Sequence, residues 1–357
     1  MARPRHRVGI KDVADAAGVS VTTVSHALND KGRLPETTRE HVRTVAEALG
    51  YRPSAQARNL VGRRTGLLGL AVAQPAGLPF PLTDLAYFVQ LTNAATATAM
   101  RCGYAVVMAP DSGSPGIWAQ GEVDGAIVID PMVDDPLVRR LREQGGMPVV
   151  TTGRVIGDTD DAPWVDNDHG LATRSVLDHL AEEGATRIAL VTSHPDTSYT
   201  IDTEAAYAEW CADRGVAPLI CRADQDLSPD AAAKAAAMAF DAHPRADGVY
   251  ATLDRLALAT MQAAQARDLD VPGSVLIVSA TDSEAARWAH PSLTVLDLDP
   301  EEIGRRAADL LVDLLGDQAP AERHVLVPSR IIRRGSTGAP GGAPPQPAGP
   351  PIRPASG

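Results

Sequence analysis

Thr22, Thr23 and His26 are the first side chains along the chain whose types and spacing could do recognition chemistry. On a helix they share the face opposite Val24, Ala27 and Leu28, and their hydroxyls and imidazole could hydrogen-bond base edges from within a major groove. Far downstream, Tyr199, Trp164, Trp210 and Trp288 offer rings that could stack on a sugar, or could simply pack. Catalytic sets are harder to find. The sequence holds no GxGxxG, P-loop, GxSxG or HExxH pattern, and His169, His179 and His194 are isolated and read as surface or capping residues. Cys102, Cys211 and Cys221 lack metal-ligand or CxxC spacing and read as free thiols, so neither a metal nor a cofactor is expected.

The elements that must position these groups can be read from apolar spacing. Ile10, Val13, Ala14 and Ala17 line one face of a short helix, which Gly18 ends because glycine tolerates the left-handed closing turn. Ser20 can cap a second helix over residues 21–28. Asn29 to Gly32 is a turn, and a third helix runs from about Pro35 to Leu49, burying Val42, Val45, Ala46 and Leu49. By shape alone such a trio is as consistent with plain packing as with nucleic-acid binding.

Charge is unevenly shared. The chain of 357 residues has a net charge of −12, yet residues 1–64 hold 12 Lys and Arg against 6 Asp and Glu, leaving 21 against 39 for the rest. A basic head on an acidic body attracts phosphates locally while the body repels them. No run of about eighteen apolar residues is present, and no apolar segment follows the basic start, so neither a membrane span nor a secretory signal is expected. A cytoplasmic, nucleoid-associated location follows from this reading.

The residues Ile10-Lys11-Asp12-Val13-Ala14, Ala17-Gly18-Val19-Ser20, Thr23 to Asn29, Thr38-Arg39 and Leu49 to Pro53 together resemble the LacI/GalR family of bacterial regulators. The resemblance implies that Val21, Thr22 and His26 read bases, that Thr23 and Ser25 lie nearer the backbone, and that Asn29 completes the contact set. Pro35 departs from the family, which usually places a capping serine there, but proline suits a first helical turn. The stretch Pro53 to Val61 resembles the family's hinge helix. That likeness implies a helix ordered only on DNA, with Leu60 wedged into a central base step, Ala57 lining the minor groove and Arg58 near phosphates. An ordinary tether is the alternative.

From Thr65 onward apolar strands alternate with helical stretches: residues 67–72, 105–108, 125–129, 148–151, 187–191, 248–251 and 275–278 read as strands. Continuous apolar strands joined by helices indicate parallel sheets covered on both faces, with ligands at the strands' carboxyl ends. The expected architecture is an N-terminal all-α helix-turn-helix domain (1–52), a hinge and linker (53–64), an α/β two-lobed body of two doubly wound parallel sheets (65–337) and a disordered Pro/Gly-rich tail (338–357).

Val165-Asp166-Asn167, Gly184 to Leu190, Pro291 to Thr294, Ile303-Gly304 and Pro328 to Arg330 extend the resemblance through this body. It implies a periplasmic-binding-protein-like fold with three strands crossing between lobes, a homodimer, and double-stranded operator DNA and a small-molecule effector as partners. Phe80 and Asp254 stand at effector positions by likeness, with core filling and helix capping as their alternatives. The family's aspartate pair reads Thr281-Asp282, and its clamping arginine near Tyr207 is missing, which favours a neutral, sugar-like effector over a carboxylate-bearing one. An enzyme or a solute-binding receptor with the same body is the alternative reading.

Overall fold

The computed structural model describes residues 9–28, 34–49, 51, 64–73, 85–109, 118–119, 122–143, 147–157, 162–194, 196–224, 226–316, 320 and 322–338. They divide into two compact units, Met1–Thr65 and Gly66–Gly357.

In the first unit, helix α1 (Ile10–Ala17) starts where the Gly9 amide donates to the Asp12 carboxylate at 2.7 Å. It closes at Gly18, whose φ of 65° is left-handed and lets the Val19 amide reach back to the Ala14 carbonyl. Helix α2 (Val21–Leu28) is capped by Ser20, whose Oγ accepts from the Thr23 amide at 3.1 Å. Helix α3 (Glu36–Ala48) follows Pro35, which supplies no side-chain cap. Val13, Ala14, Ala17, Val24, Ala27, Val42 and Ala46 form the core of the three helices. Leu49, expected in that core, is instead 38% exposed, because the helix has ended and the chain turns there; Tyr51 packs against the core instead. Asn29 and the hinge residues Ala57, Arg58 and Leu60 lie outside the described residues.

The second unit winds two six-stranded sheets in the same order. Lobe 1 uses β1 (Leu67–Val72), β2 (Ala105–Met108), β3 (Gly125–Ile129), β4 (Val149–Thr152), β5 (Trp164–Asp166) and β11 (His324–Leu326), arranged β2-β1-β3-β4-β5-β11. Lobe 2 uses β6 (Ile188–Thr192), β7 (Ile220–Arg222), β8 (Gly248–Ala251), β9 (Leu276–Ala280), β10 (Thr294–Asp297) and β12 (Arg330–Ile332), arranged β7-β6-β8-β9-β10-β12. All neighbours pair parallel except β12, which runs antiparallel to β10. Apolar side chains cover both faces of each sheet. Leu70 and Ile127 face one cluster while Ala71 and Val128 face another, and Val191 and Ile277 are likewise divided from Leu190 and Val278. β5, β7, β10, β11 and β12 are not among the strands read from apolar runs; four of these five span only three residues.

Three segments cross between lobes, and one side chain ties them. Buried Asn167, just after β5, donates through Nδ2 to the Leu298 carbonyl after β10 at 3.0 Å and to the Val327 carbonyl after β11 at 2.8 Å. Helices α4 (Ala86–Arg101) and α11 (Pro300–Leu315) pack together in lobe 1, where Gly304 permits close approach: a Cβ there would lie 2.2 Å from the Leu91 carbonyl oxygen.

Candidate functional site

On α2, Val21 (40% exposed) and Thr22 are open to solvent, while Thr23, Ser25 and His26 are half-buried. Val24 and Ala27 turn inward, so the amphipathic split places the sequence's proposed reading residues on the outer side of the helix. Arg39, on α3, donates to the His26 carbonyl at 3.5 Å and so braces the end of α2.

In the body, the winding order reverses beside β1 in lobe 1 and beside β6 in lobe 2, and a ligand crevice belongs where neighbouring strand ends part company. Residues at or just past those ends do line a shared cleft: Ala73 after β1, Asp130 after β3, Ser193 and His194 after β6, and Thr252 and Leu253 after β8. The cleft has one space of about 670 Å³ toward Met132 and Leu227, and another of about 470 Å³ reaching Asp166, His169 and Thr281. Tyr199, Phe88, Asp130, Thr197 and Leu253 border both.

The polar wiring is specific. Asp166, only 4% exposed, pairs through Oδ1 with His169 Nε2 at 2.7 Å and with the Asn167 amide at 2.8 Å, and accepts from Ser198 Oγ of lobe 2 at 3.3 Å. Arg154 approaches Asp166 to 3.9 Å and forms an ion pair with Asp202 across the lobes. Helix α7 (Ser198–Asp213) begins at Thr197, which caps it, and it carries the Tyr199 hydroxyl into contact with Tyr250 and the Thr252 carbonyl. Asp130 sits at a left-handed φ of 47°, and Thr281, at the end of β9, at 80°. Non-glycine residues are rarely held so, least of all a β-branched one, and such strain gathers at ligand sites. Burial, with the Asp166 carboxylate next in effect, pushes the Asp130 carboxyl up to about 7. Burial likewise lifts the Tyr87 and Tyr199 hydroxyls well above their ordinary range.

Of the foreseen cleft residues, Tyr199 and Thr281 line the cleft. Asp282 does not. Burial would raise its pKa, but bonds from Arg287 and Arg334, at 2.9 and 2.7 Å, hold the carboxylate ionised and engaged elsewhere. Asp254 opens helix α9 (Asp254–Gln265) and accepts from the Arg255 amide at 2.7 Å, while its neighbour Leu253 faces the cleft. Phe80 lies outside the described residues, and Phe88 is the phenyl ring observed at the cleft. Trp164 stacks on His324 at 4.8 Å and Trp210 is buried with its indole N–H on Asp178, so among the described residues neither ring reaches the cleft, nor does half-exposed Trp288. His169 and His179, read from sequence as surface or capping residues, are 5% and 3% exposed; each packs one ring nitrogen against a partner and leaves Nδ1 unbonded. Asp130, Asp166 and His169 escaped sequence reading as site residues, although Val165-Asp166-Asn167 carried a local signal.

Among the described residues no group of His, Cys, Asp and Glu could hold a metal, and no helix is long and apolar enough to cross a membrane.

Comparison with known proteins followed the same two units. The profile of bacterial regulatory proteins of the lacI family matches residues 9–54, and that of the periplasmic binding protein-like domain matches residues 177–337. The HTH-type transcriptional regulator CelR of Thermobifida fusca is 30% identical over 342 residues, covering 92% of this chain and 98% of its own. The ribose operon repressor of Halalkalibacterium halodurans is 26% identical over 335 residues, with 92% and 96% covered. Among solved structures, a CelR–cellobiose complex aligns with a TM-score of 0.69 at 27% identity, covering 92% of this chain and 100% of that one. A lac repressor dimer bound to operator and the anti-inducer ONPF aligns at 0.78 and 24% identity, covering 93% and 99%, a likeness of fold.

Proposed function

The chain belongs to the LacI family of bacterial regulatory proteins, and from that premise we propose that it represses transcription as a homodimer on a pseudo-palindromic operator. The observation that carries the reading is the capped helix α2, which holds Val21 and Thr22 in solvent on a rigid three-helix core. A helix so presented can enter a major groove with its first turns against base edges. Val21, Thr22 and His26 are the base readers, with Thr23, Ser25 and Asn29 nearer the phosphates. Ala57, Arg58 and Leu60 form the minor-groove element, Leu60 being the wedge.

The body binds a small-molecule effector in the interlobe cleft, and the sugar-bound CelR relative makes a sugar-like molecule the natural class. The chain acts by binding rather than catalysis, and it works in the cytoplasm. The domain limits proposed are 1–52, 53–64 and 65–337.

A gel-shift titration on DNA from upstream of the chain's own gene tests this. His26→Ala should weaken the specific complex by about 1–3 kcal/mol while leaving binding to random DNA unchanged. Equal losses on both DNAs would remove His26 from the readers. Absence of any salt-sensitive, sequence-selective complex would defeat the regulator reading.

A further inference from the structure

The cleft is rich in hydroxyls and carboxylates but short of positive charge. Asp130, Asp166 and Asp196 border it, while no Arg or Lys does among the described residues. Asp166 is already spent on His169, Asn167 and Ser198. Asp130 differs: its backbone amide bonds Thr152, but its carboxylate has no hydrogen bond or ion pair among the described residues. A second polar atom without a partner stands nearby. His169 is 5% exposed, its Nε2 is committed to Asp166, and its buried Nδ1 has no partner. Around these groups lie rings: Tyr87 meets Phe88 edge to face at 5.3 Å, and Tyr199 meets His169 at 5.0 Å.

Resting on the reading of this cleft as the effector site, we propose that the effector is an amino sugar, or a small polyol-like ring bearing a cationic amine, whose ammonium group sits against Asp130. A sugar hydroxyl brings one donor and no charge. An ammonium brings three donors and the counter-charge that a confined carboxylate lacks. The flanking Tyr87, Phe88 and Tyr199 rings suit the ring's apolar face and tolerate a nearby cation. The nearest arginine wired to these groups, Arg154, is paired with Asp202 and does not line the cleft, so no guanidinium is set to clamp a carboxylate-bearing ligand.

Calorimetric titration of the full chain at pH 7.5 with matched pairs tests the assignment: glucosamine with glucose, galactosamine with galactose, mannosamine with mannose, and the β-1,4-linked glucosamine disaccharide with cellobiose. At least one amine should bind ten-fold or more tightly than its neutral counterpart, and Asp130→Asn should bring that pair to within two-fold. If sugars bind but in every pair the neutral member binds as well as or better than its amine, the cationic assignment is overturned while the effector reading stands. An amine preference that survives unchanged in Asp130→Asn overturns the seat at Asp130. If no amine binds, the proposal falls. The effector reading falls separately, if no member of either series alters operator affinity in the gel shift.

Discussion

The two lobes share one winding order and differ in what they place at their strand ends. Lobe 1 ends β3 and β5 with carboxylates, Asp130 and Asp166, whereas lobe 2 ends β6, β8 and β9 in Ser193, Thr252 and Thr281. The sole carboxylate lobe 2 brings to the described cleft, Asp196, sits on the loop after β6. Topology therefore decides where a ligand can lie, and side chains decide what it must be. One lobe supplies charge and the other supplies hydroxyls and shape.

The comparison is broken most sharply at Asp166, the lobe 1 carboxylate that also holds lobe 2 through Ser198. Asp166→Ala strands His169 and Ser198 in a buried setting and should cost about 3–5 kcal/mol in urea unfolding. A cost below about 1 kcal/mol would show the network to be incidental. Asp130 should behave in the opposite way. Its folded pKa of about 7 lies above the ordinary 3.8, so the native state keeps a proton that the unfolded chain has released. Stability is then lost as pH climbs from about 4 to 7, the neighbouring Asp166 deepening the loss and His169 easing it. Asparagine cannot ionise, so Asp130→Asn should stabilise by roughly 2 kcal/mol more at pH 8 than at pH 5. A gain independent of pH would assign Asp130 an ordinary titration. The smallest effect belongs to lobe 2: Thr281→Gly relieves a left-handed β-branched residue and should stabilise by about 1 kcal/mol, with weaker effector binding as its cost. Destabilisation instead would mean that the Thr281 side chain contributes more by packing than its backbone conformation costs.

How much of this was legible in the sequence depended on range. α1 and α2 were readable to the residue because their signals are local: a glycine at the left-handed closing turn, a serine cap, and apolar spacing of three and four. Leu49 failed because periodicity continued on paper past the point where the backbone turned. In the body, long apolar runs such as Leu67–Val72 announced themselves, while His324–Leu326 and Ile220–Arg222 exist as strands only because a neighbour pairs with them. The cleft was the least readable. Nothing in the spacing of Asp130 and His169 says that β3 and the start of helix α6 (His169–Glu182) will bring them to one wall. Likewise, the identities of Thr281 and Asp282 do not reveal that Arg287 and Arg334 draw the carboxylate away from the cleft.

Asn167 has a mechanical consequence. Because both protons of one amide fasten the other two crossing segments, the three crossings are tied to one another rather than running as independent straps. Asp166, bonded to the Asn167 amide and to His169, sits directly beside this joint, so the cleft wall and the fastening of the crossing segments are one continuous network.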